Sequence, residues 1–422
     1  MERVLSSEVE RYIGKEILLK GWVHQIRKLG KITFVILRDR RGTVQLIADS
    51  SVDLSAVVKE AVVEVEGIPK LEPQAPGGRE VKIKSIKVME SPREPIPFEV
   101  NRSLKKLNLK LDMLLNHRAF SLRNPEIGRV FRIQAEIIRS FADFMRGEDF
   151  LEVHTPKIVA SGTEGGTALF PVQYFEKKAY LAQSPQFYKQ MLVGAGYERV
   201  FEIGFVYRAE DHATSRHLNE YLSLDFEMGF IDSVEDVMKL EERLLRSIFE
   251  NLKKRCKDEL SFYKVELPKI EKIPRVRFSE VKEILKGKEL RDDLDPEAER
   301  LLCEHLNSDF VFVTHFPASS RPFYTMPSED PKFTESFDLL YKGMEVTTGS
   351  QRIHNYDMLC KNIRKFGMDP REFEFYLEIF KYGMPPHGGL AIGAERLTQK
   401  ILGLKNIREA CLFPRDRFRL IP

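Results

Sequence analysis

The sequence predicts an α+β protein with two domains: an N-terminal five-stranded barrel and a larger C-terminal domain that combines antiparallel strands with helices. Five short β-rich runs, separated by Gly, Asp and Pro, occupy residues 17–89. Residues 201–230 carry alternating apolar positions on either side of a charged loop, which indicates two antiparallel strands. An amphipathic stretch near residues 127–146 predicts a long helix at the start of the second domain.

Length and composition limit the possible classes of protein. A chain of 422 residues points to two or three domains, and 42% hydrophobic residues are sufficient for globular folding. No apolar run approaches the roughly 20 residues that span a bilayer, and the N-terminus lacks a signal pattern. We therefore expect a soluble, cytoplasmic protein without membrane contact.

Net charge and cysteine spacing identify no partner or metal. The net charge of +3 is too small to indicate nucleic-acid binding, so any RNA contact has to come from local patches. The four cysteines are scattered without CxxC spacing, which predicts neither a zinc site nor a disulfide framework. We expect them to be reduced thiols.

The N-terminal runs favour a Greek-key barrel of the OB type, and a generic β-barrel is the alternative. We expect a short helical piece near Leu54–Glu60. OB barrels commonly bind single-stranded nucleic acid by aromatic stacking and by hydrogen bonds to base edges. Phe34, Gln45 and Glu80 have these chemistries, and Arg27 and Lys28 could bind phosphate. Taken alone, a residue such as Phe34 is more often part of the core, and one such as Gln45 is more often a solvated strand residue.

The SPREPIP segment ends the barrel pattern, because each proline removes a backbone donor and disfavours helix at the residue before it. We predict domains at residues 1–100 and 121–422, joined by a linker over residues 101–120. The linker is basic. Its lysines, which could contact an RNA backbone or simply be solvated, are Lys105, Lys106 and Lys110.

The loop between the two strands predicted within residues 201–230 collects charged side chains. Arg208 and Glu210 follow the first strand, and Arg216 and His217 precede the second. Guanidinium groups fixed on a sheet can grip phosphate oxygens bidentately, and a carboxylate can accept hydrogen bonds from an amino group such as that of adenine. A solvated hairpin tip is the alternative.

Two carboxylates in FDLLYKGMEVTTGSQRIHNYDML suggest a metal site. Asp338 and Glu345 are seven residues apart, so in one straight strand they would face opposite sides. A turn at Lys342 and Gly343 would bring them together. Carboxylate oxygens beside a triphosphate suit Mg²⁺, which usually keeps water and shares ligands with phosphate.

Several further segments carry weaker signals. LAQSPQFYKQML passes from a strand end to a helix start, and GEDFLEVHTPKIV passes from a helix end at Gly147 to a strand stopped by Pro156. In KYGMPPHGGLAIGAERLTQKIL, a Gly-rich strand leads into a helix that carries Arg396. Adjacent Gly165 and Gly166 would permit a hinged loop. Taken alone, these patterns suit ordinary turns and strand-to-helix connections as well.

Together, these segments resemble the class II aminoacyl-tRNA synthetases of the aspartyl, asparaginyl and lysyl group. GEDFLEVHTPKIV resembles motif 1 (residues 147–159), FVYRAE, RHLNEY and LDFEM resemble motif 2 (residues 201–230), and GGLAIGAERLTQKIL resembles motif 3 (residues 388–402). GWVHQIRKLGKITFVILRD followed by TVQLIA resembles the anticodon-binding barrel of archaeal-type aspartyl-tRNA synthetases. The resemblance covers nearly the whole chain and implies a catalytic domain with an antiparallel sheet flanked by helices.

The resemblance also implies roles for individual residues. Arg208 and Arg396 would be the catalytic cations. The implied ATP-binding residues are Arg208, Glu210, Arg216, His217, Tyr221, Glu345 and Arg396. The implied L-aspartate-binding residues are Glu164, Ser184, Gln186, Lys189, Asp225, Thr348 and Arg352. The implied Mg²⁺ site consists of Asp338, Glu345 and Thr348, and Pro156 would lie near the two-fold axis of a homodimer.

The resemblance assigns the anticodon of tRNA to the barrel. The implied anticodon-binding residues are His24, Arg27, Phe34, Gln45, Pro76 and Glu80. His24 in GWVHQ and Pro76 in LEPQAPGG resemble the branch that charges both tRNA(Asp) and tRNA(Asn). Such an enzyme needs a tRNA-dependent amidotransferase downstream.

The implied activity is activation of L-aspartate with ATP and transfer of the aspartyl group to tRNA. Asparaginyl-tRNA synthetase is the nearest alternative, and two cations, Lys189 and Arg352, directed at the substrate side chain favour a carboxylate over an amide. A synthetase-like enzyme that forms a free amide is a second alternative, but such relatives usually lack the barrel. A pure RNA-binding module would leave motifs 2 and 3 without a purpose.

Overall fold

The computed structural model describes residues 1–163, 168–211, 214–288 and 290–422. Within these ranges the chain divides into two compact units, Met1–Glu126 and Ile127–Pro422. The segment predicted as a linker, residues 101–120, falls inside the first unit. Where the functional domain boundaries lie stays a prediction.

The first unit contains a closed five-stranded barrel. Its strands are β1 (Ile17–Leu29), β2 (Ile32–Asp39), β3 (Gly42–Ala48), β4 (Val62–Leu71) and β5 (Arg79–Glu90). They follow the order β1-β2-β3-β5-β4, in which β3 and β5 pair parallel, whereas the pairs β1–β2, β2–β3, β1–β4 and β4–β5 are antiparallel. Alternate valines and leucines fill the interior, including Val23, Val35 and Leu46, each at most 1% exposed. This confirms the predicted OB barrel.

The helix expected near Leu54–Glu60 is absent from this described segment, which instead forms consecutive turns. The Val57 N–H donates to the Leu54 carbonyl and the Ala61 N–H to the Val58 carbonyl, both three residues apart. Glu60 then adopts a φ of 64°, which no α-helix continues. The expectation failed because apolar residues three or four apart also suit turns that press one face against a barrel.

Short helices follow the barrel in the first unit. They are α1 (Leu104–Leu107), α2 (Leu111–Asn116) and α3 (Arg118–Ser121). The segment after α3 contacts the barrel through an ion pair in which Glu60 is buried and Arg123 is 36% exposed. Arg123 donates to Glu60 at 2.9 Å and packs 5.5 Å from the ring of Trp22. Glu60 is therefore shared between the barrel and the segment that follows α3.

The second unit is built on an eight-stranded sheet. Its strands are β6 (Leu151–Glu152), β10 (Arg199–Tyr207), β11 (Glu220–Gly229), β12 (Arg275–Arg277), β13 (Phe310–Thr314), β14 (Ser336–Tyr341), β15 (Glu345–Arg352) and β16 (His387–Gly393). A small separate sheet contains β7 (Ile158–Val159), β8 (Pro171–Tyr174) and β9 (Lys177–Leu181).

The large sheet is mixed, and its strand order is β12-β13-β14-β15-β16-β11-β10-β6. Six central strands pair antiparallel, as expected, but the outermost pairs β12–β13 and β10–β6 are parallel. The predicted antiparallel arrangement is confirmed for the six central strands, and the sheet as a whole is mixed because the two edge pairs are parallel. Strands of two or three residues are too short to carry a periodic signal.

Helices flank the sheet. In chain order they are α4 (Pro125–Gly147), α5 (Gln186–Leu192), α6 (Val234–Arg255), α7 (Lys257–Tyr263), α8 (Phe278–Ile284), α9 (Pro296–His305), α10 (Tyr356–Lys365), α11 (Glu374–Leu377) and α12 (Ala394–Leu402). Ile137 of α4 and Leu244 of α6 are completely buried in one core with Phe201 and Phe226 of the sheet. No helix within the described ranges is long and apolar enough to cross a membrane.

Strand β16 passes very close to β11 and needs glycine there. A Cβ atom on Gly389 would lie 2.1 Å from the Phe226 carbonyl oxygen and 2.4 Å from Glu227 Oε2. Real Cβ atoms essentially never approach that closely. Because Gly389 has no side chain, the carboxylate of Glu227 can occupy the space next to it.

Candidate active site

The charged loop predicted between two strands is held by the β10–β11 hairpin. The strands pair antiparallel from Arg199↔Met228 to Tyr207↔Glu220. Beyond the last pair, the Arg208 N–H donates to the Asn219 carbonyl at 2.9 Å, and Asn219 Nδ2 donates to the Arg208 carbonyl at 2.6 Å. The base of the loop is thereby fixed where Arg208 leaves the sheet.

The loop and the central strands enclose a cavity of about 370 Å³. Most of the side chains predicted for ATP, aspartate and metal line it together. They are Ser184, Gln186, Arg208, Glu210, Arg216, His217, Tyr221, Asp225, Asp338, Glu345, Thr348, Arg352 and Arg396. Lys189 does not line the cavity, and Glu164, with the glycines predicted as a hinge, lies outside the described residues.

At one end of the cavity, arginines are held by carboxylates. Arg216 donates to Glu299 Oε1 at 2.8 Å, and Arg396 Nη1 lies 3.1 Å from Glu345 Oε1. The guanidinium carbon of Arg208 lies 5.9 Å from the centre of the Tyr221 ring. Because these cations converge on one volume, this end suits a polyanion such as a triphosphate.

Two carboxylates lie at the same end. As predicted, the chain turns between β14 and β15, with φ of 47° at Lys342 and 70° at Gly343, and the two strands pair antiparallel. Burial raises the pKa of Asp338 to about 7, with help from Glu345. Burial would also raise the pKa of Glu345, but the nearby arginines, first of all Arg396, outweigh it and lower that pKa.

The donor set around these carboxylates fits Mg²⁺. Asp338 Oδ1 is buried and has no hydrogen-bond partner within the described part of the chain. Thr348, which pairs with Asp338 across the strands, donates its hydroxyl to Glu345 Oε1 at 3.1 Å. Within the described ranges, no three His, Cys, Asp or Glu residues form a metal-binding cluster. Two carboxylates without a protein cage are typical of Mg²⁺ that shares its ligands with phosphate.

The other end of the cavity is lined by Ser184, Gln186 and Asp225. Lys189 lies one layer behind them, where its completely buried ammonium group donates to Asp225 Oδ1 at 2.9 Å and to the carbonyls of Phe226 and Leu390. Lys189 was expected to face the substrate. In this structure it holds Asp225 instead, and contact with a substrate stays a prediction.

Arg352 lines the same end of the cavity, and its guanidinium is held in place by hydrogen bonds to the carboxylate of Glu227. Its Nε donates to Glu227 Oε1 at 2.9 Å, and its Nη2 to Glu227 Oε2 at 3.3 Å and to Gln186 Oε1 at 3.1 Å. Glu227 is itself completely buried. Both cations predicted for the substrate side chain therefore already have carboxylate partners.

A buried histidine lies next to this pair. His387, at the start of β16, is completely buried, and its ring nitrogens lie 2.9 Å from the Pro385 carbonyl and 3.1 Å from Gln190 Oε1. Burial lowers the pKa of His387 to about 4, although the charge of Glu227 opposes the shift. The imidazole is therefore neutral at pH 7.

Sequence reasoning missed three charged residues of the site. Arg321 and Asp293 line the cavity, and Glu299 holds both Arg216 and the backbone N–H of Glu345. Asp293 and Glu299 belong to charged stretches with no distinctive pattern. A possible signal was Arg321 in SRPFYT, where an arginine precedes a proline and two aromatic residues.

On the barrel, four of the residues predicted to bind the anticodon lie opposite one another on neighbouring strands. Arg27 pairs with Phe34 across β1 and β2, and Gln45 pairs with Glu80 across β3 and β5. Gln45 Nε2 donates to Glu80 Oε2 at 2.8 Å, while Lys70 lies 2.9 Å from the other oxygen. Glu80 is 2% exposed. Its buried carboxylate therefore holds the Gln45 amide in one orientation before any base binds.

His24 and Pro76 occupy different settings on the barrel. His24 lies at a β-bulge of β1, where its Nδ1 accepts a hydrogen bond from Arg38 Nη1 at 2.9 Å. Burial, and secondarily the charge of Arg38, lowers the pKa of His24 to about 4. Pro76 begins the exposed turn Pro76–Gly78 before β5.

Both parts of the chain match known families. Residues 110–417 match the family described as tRNA synthetases class II (D, K and N), and residues 17–89 match the OB-fold nucleic acid binding domain. The first match covers well over half of the chain. The chain therefore belongs to the class II tRNA synthetases of the D, K and N group.

Individual members of this group resemble the chain over nearly their whole length. The chain is 48% identical to the aspartate–tRNA(Asp/Asn) ligase of Thermus thermophilus, covering 100% of both chains. It is 43% identical to the aspartate–tRNA(Asp) ligase of Pyrococcus abyssi, covering 99% of both. The structure is similar to the asparaginyl-tRNA synthetase of Pyrococcus horikoshii complexed with asparaginyl-adenylate, with a TM-score of 0.94 and 33% identity over 100% of both chains.

Proposed function

We propose that this protein is an aspartate–tRNA ligase that charges tRNA(Asp) and also tRNA(Asn). In the first step, the α-carboxylate of L-aspartate attacks the α-phosphorus of ATP and pyrophosphate leaves. In the second step, a 3′-terminal ribose hydroxyl attacks the aspartyl carbonyl and AMP leaves. The observation that carries the proposal is one cavity with arginines for a triphosphate at one end and Asp225 beside Arg352 at the other.

The side chains assist the first step by alignment and charge stabilisation. Arg208 and Arg396 approach from the hairpin and from α12, so they can hold the phosphates while negative charge develops at phosphorus. Glu210 lines the same cavity and can accept from the adenine amino group, with Tyr221 as an aromatic face. No side chain needs to form a covalent intermediate, because the substrate supplies the nucleophile.

The opposite end of the cavity selects the amino acid. Asp225 can receive the substrate ammonium group, and Arg352 can pair with the side-chain carboxylate. Because Lys189 and Arg352 are already paired with Asp225 and Glu227, local charge alone does not decide between aspartate and asparagine. The names of relatives that are 46–48% identical support aspartate.

Mg²⁺ is the proposed metal partner of ATP. Asp338, Glu345 and Thr348 would hold it, and the ion would neutralise phosphate charge. Asp338 Oδ1 is buried and has no hydrogen-bond partner within the described residues. This oxygen is therefore available as a metal ligand, which supports the assignment. Glu345 orients the Thr348 hydroxyl and balances the charge of Arg396 when no nucleotide is bound.

The barrel is the proposed anticodon site, with Phe34 as the stacking residue and Gln45 as a reader of base edges. The anticodons GUC and GUU differ only in the third base. His24, neutral and held by Arg38, and Pro76, which lacks a backbone N–H, would relax the reading of that base. Aspartylated tRNA(Asn) would then pass to an amidotransferase in the cytoplasm.

A homodimer is the proposed assembly. Pro156 is exposed between two exposed apolar residues, Leu151 and Ile158, which are 47% and 49% exposed. Exposed apolar side chains of β6 and β7, at either end of the segment that joins these strands, are suited to a self-complementary contact between two copies.

Two assays test the proposal. ATP–pyrophosphate exchange, run with aspartate or asparagine, should depend on aspartate, and exchange with asparagine alone would favour the asparaginyl alternative. Charging of tRNA(Asp) and tRNA(Asn) transcripts should then give similar kcat/KM values. A preference for tRNA(Asp) of roughly 100-fold, about 2.7 kcal/mol, would contradict relaxed specificity and leave the aspartate assignment standing.

A further inference from the structure

Arg321 is held in the cavity by two unlike contacts. Its Nη2 donates to Asp338 Oδ2 at 2.7 Å, and its guanidinium carbon lies 3.8 Å from the centre of the Phe316 ring. The Arg321 side chain is 9% exposed, and Phe316 is completely buried. A planar guanidinium stacked on a fixed ring can exchange a partner at its edge without losing its position.

The segment that carries Arg321 is firmly anchored. Phe323, Tyr324 and Thr325 are each at most 3% exposed, and Thr325 forms a β-bridge with Arg352. Arg321 therefore projects from a backbone that is tied to the site, and its side chain can respond without movement of the chain.

Four arginines that line the cavity are each paired with a carboxylate. The ion pairs are Arg216–Glu299, Arg352–Glu227, Arg396–Glu345 and Arg321–Asp338. Within the described residues, Arg321 is the only cation within 4.0 Å of Asp338. Removing Asp338 from this pair leaves Arg321 without an ion-pair partner within 4.0 Å in the described part of the chain, and only the more distant charges of Asp293 and Glu345 still act on it. A negatively charged ligand that takes the place of Asp338 would restore a charge-assisted hydrogen bond to this buried guanidinium.

We propose that Arg321 is a phosphate-binding residue, and that the Asp338–Arg321 pair separates when a metal nucleotide enters. Asp338 would turn to the divalent cation and Arg321 to a phosphate oxygen. In this structure, two buried atoms have no hydrogen-bond partner within the described residues. They are Asp338 Oδ1 and Arg321 Nε. The inference rests on the proposed function, because it requires ATP in this cavity.

The exchange makes each ligand compete with an internal group when it binds alone. Without nucleotide, Arg321 competes with a metal ion for Asp338. Without metal, Asp338 competes with phosphate for Arg321. A purely structural ion pair would instead affect stability, with no opposite changes in the binding of metal and nucleotide.

The test measures binding to the full chain at pH 8, without turnover. Mn²⁺ is titrated alone and followed by electron paramagnetic resonance, and α,β-methylene-ATP is titrated in EDTA by calorimetry. In Arg321→Leu, Mn²⁺ should bind about 10-fold more tightly because Asp338 is released, and the analogue about 10-fold more weakly because a phosphate ligand is lost. These opposite changes are the signature of the exchange.

A double-mutant cycle identifies the partner. In an Asp338→Asn background, Arg321→Leu should no longer tighten Mn²⁺ binding, because no carboxylate remains to be released. Arg371→Leu is the matched control, since Arg371 forms an arginine–aspartate pair of 2.6 Å with Asp369 on the surface. It should change neither affinity.

The outcomes separate this inference from the proposed function. Failure of the unsubstituted protein to bind the analogue even with Mn²⁺ would overturn both. Normal binding, with Arg321→Leu changing the two affinities in the same direction or leaving both unchanged, would overturn the exchange alone. If Arg321→Leu does not fold, Arg321→Lys keeps the charge without the planar fork and should show the same opposite changes with smaller size.

Discussion

Glu227 holds Arg352 through both carboxylate oxygens, at 2.9 Å to Nε and 3.3 Å to Nη2, and Glu227 is completely buried. Arg352, which is proposed to bind the substrate carboxylate, is therefore oriented by Glu227 of β11, a residue that does not itself line the cavity. Gln186 donates to the same carboxylate at 3.1 Å and accepts from Arg352. The selectivity of the amino-acid end depends on this layer as well as on the cavity lining.

Glu227→Gln should raise the KM for aspartate about 10- to 100-fold, because Arg352 loses its charge partner and its fixed orientation. The KM for ATP should change less than about twofold, since the arginines at the phosphate end are paired elsewhere. Pyrophosphate exchange measures both constants. Glu374→Gln, which alters an exposed ion pair with Lys381, is the control. Equal effects on the two substrates would contradict the positioning role.

Lys189→Met should abolish aspartate activation and lower the free energy of unfolding by about 3–5 kcal/mol. The substitution leaves Asp225 and two backbone carbonyls without their buried donor. Urea unfolding and pyrophosphate exchange measure the two effects. Lys381→Met, on the surface, should cause neither. Near-normal exchange in Lys189→Met would show that the lysine neither positions Asp225 nor reaches the substrate.

The stability of the second unit should fall with acid because of His387. Its pKa is about 4 when folded, against an ordinary value of 6.5. Between pH 6.5 and 4 the unfolded chain binds the extra proton, so the free energy of unfolding rises with pH. This contribution is fully present above pH 6.5, decreases by about 2 kcal/mol at pH 5, and is lost as pH falls through about 4.

Urea unfolding at pH 5.0 and 7.5, followed by circular dichroism, checks this dependence, because the single tryptophan, Trp22, lies in the barrel. His387→Gln should reduce the difference between the two pH values by about 2 kcal/mol. His305→Gln, at an exposed position, should keep the original difference. An unchanged difference in His387→Gln would rule out this histidine as the source.

Phe34→Ala should lower kcat/KM for tRNA about 10- to 100-fold, because stacking of one base on an aromatic ring contributes about 1–3 kcal/mol. Pyrophosphate exchange without tRNA should stay unchanged, since the cavity residues all belong to the second unit. Met89→Ala, at an exposed position of β5, is the control. Loss of exchange in Phe34→Ala would argue against separate roles for the two units.

The sequence predicted the elements whose pattern is local. Alternation defined the β10–β11 hairpin, and the seven-residue spacing of Asp338 and Glu345 required the turn that the structure contains. The helix expected near Leu54–Glu60 was wrong because apolar spacing does not distinguish a helix from repeated turns. The parallel edge strands were missed because they are short.

The missed parts of the site depend on distant contacts. Arg321 meets Asp338 only after β13 and β14 pair, and Arg216 meets Glu299 across 83 positions of sequence. Lys189 carried a clear family signal, but its burial behind Asp225 depends on the packing of α5 against β11 and β16. No local period encodes such contacts.

The missing side chain of Gly389 also constrains substitution at this position. Alanine would conventionally count as a mild replacement, yet its single methyl group would collide with Glu227 Oε2 and with the backbone of β11. The acid would then have to leave Arg352. Tolerance to substitution at position 389 is therefore set by volume rather than by chemical similarity. The smallest possible change would reach Arg352 at the amino-acid end of the cavity through Glu227, and also directly, because the Gly389 carbonyl accepts from Arg352 Nη2 at 3.0 Å.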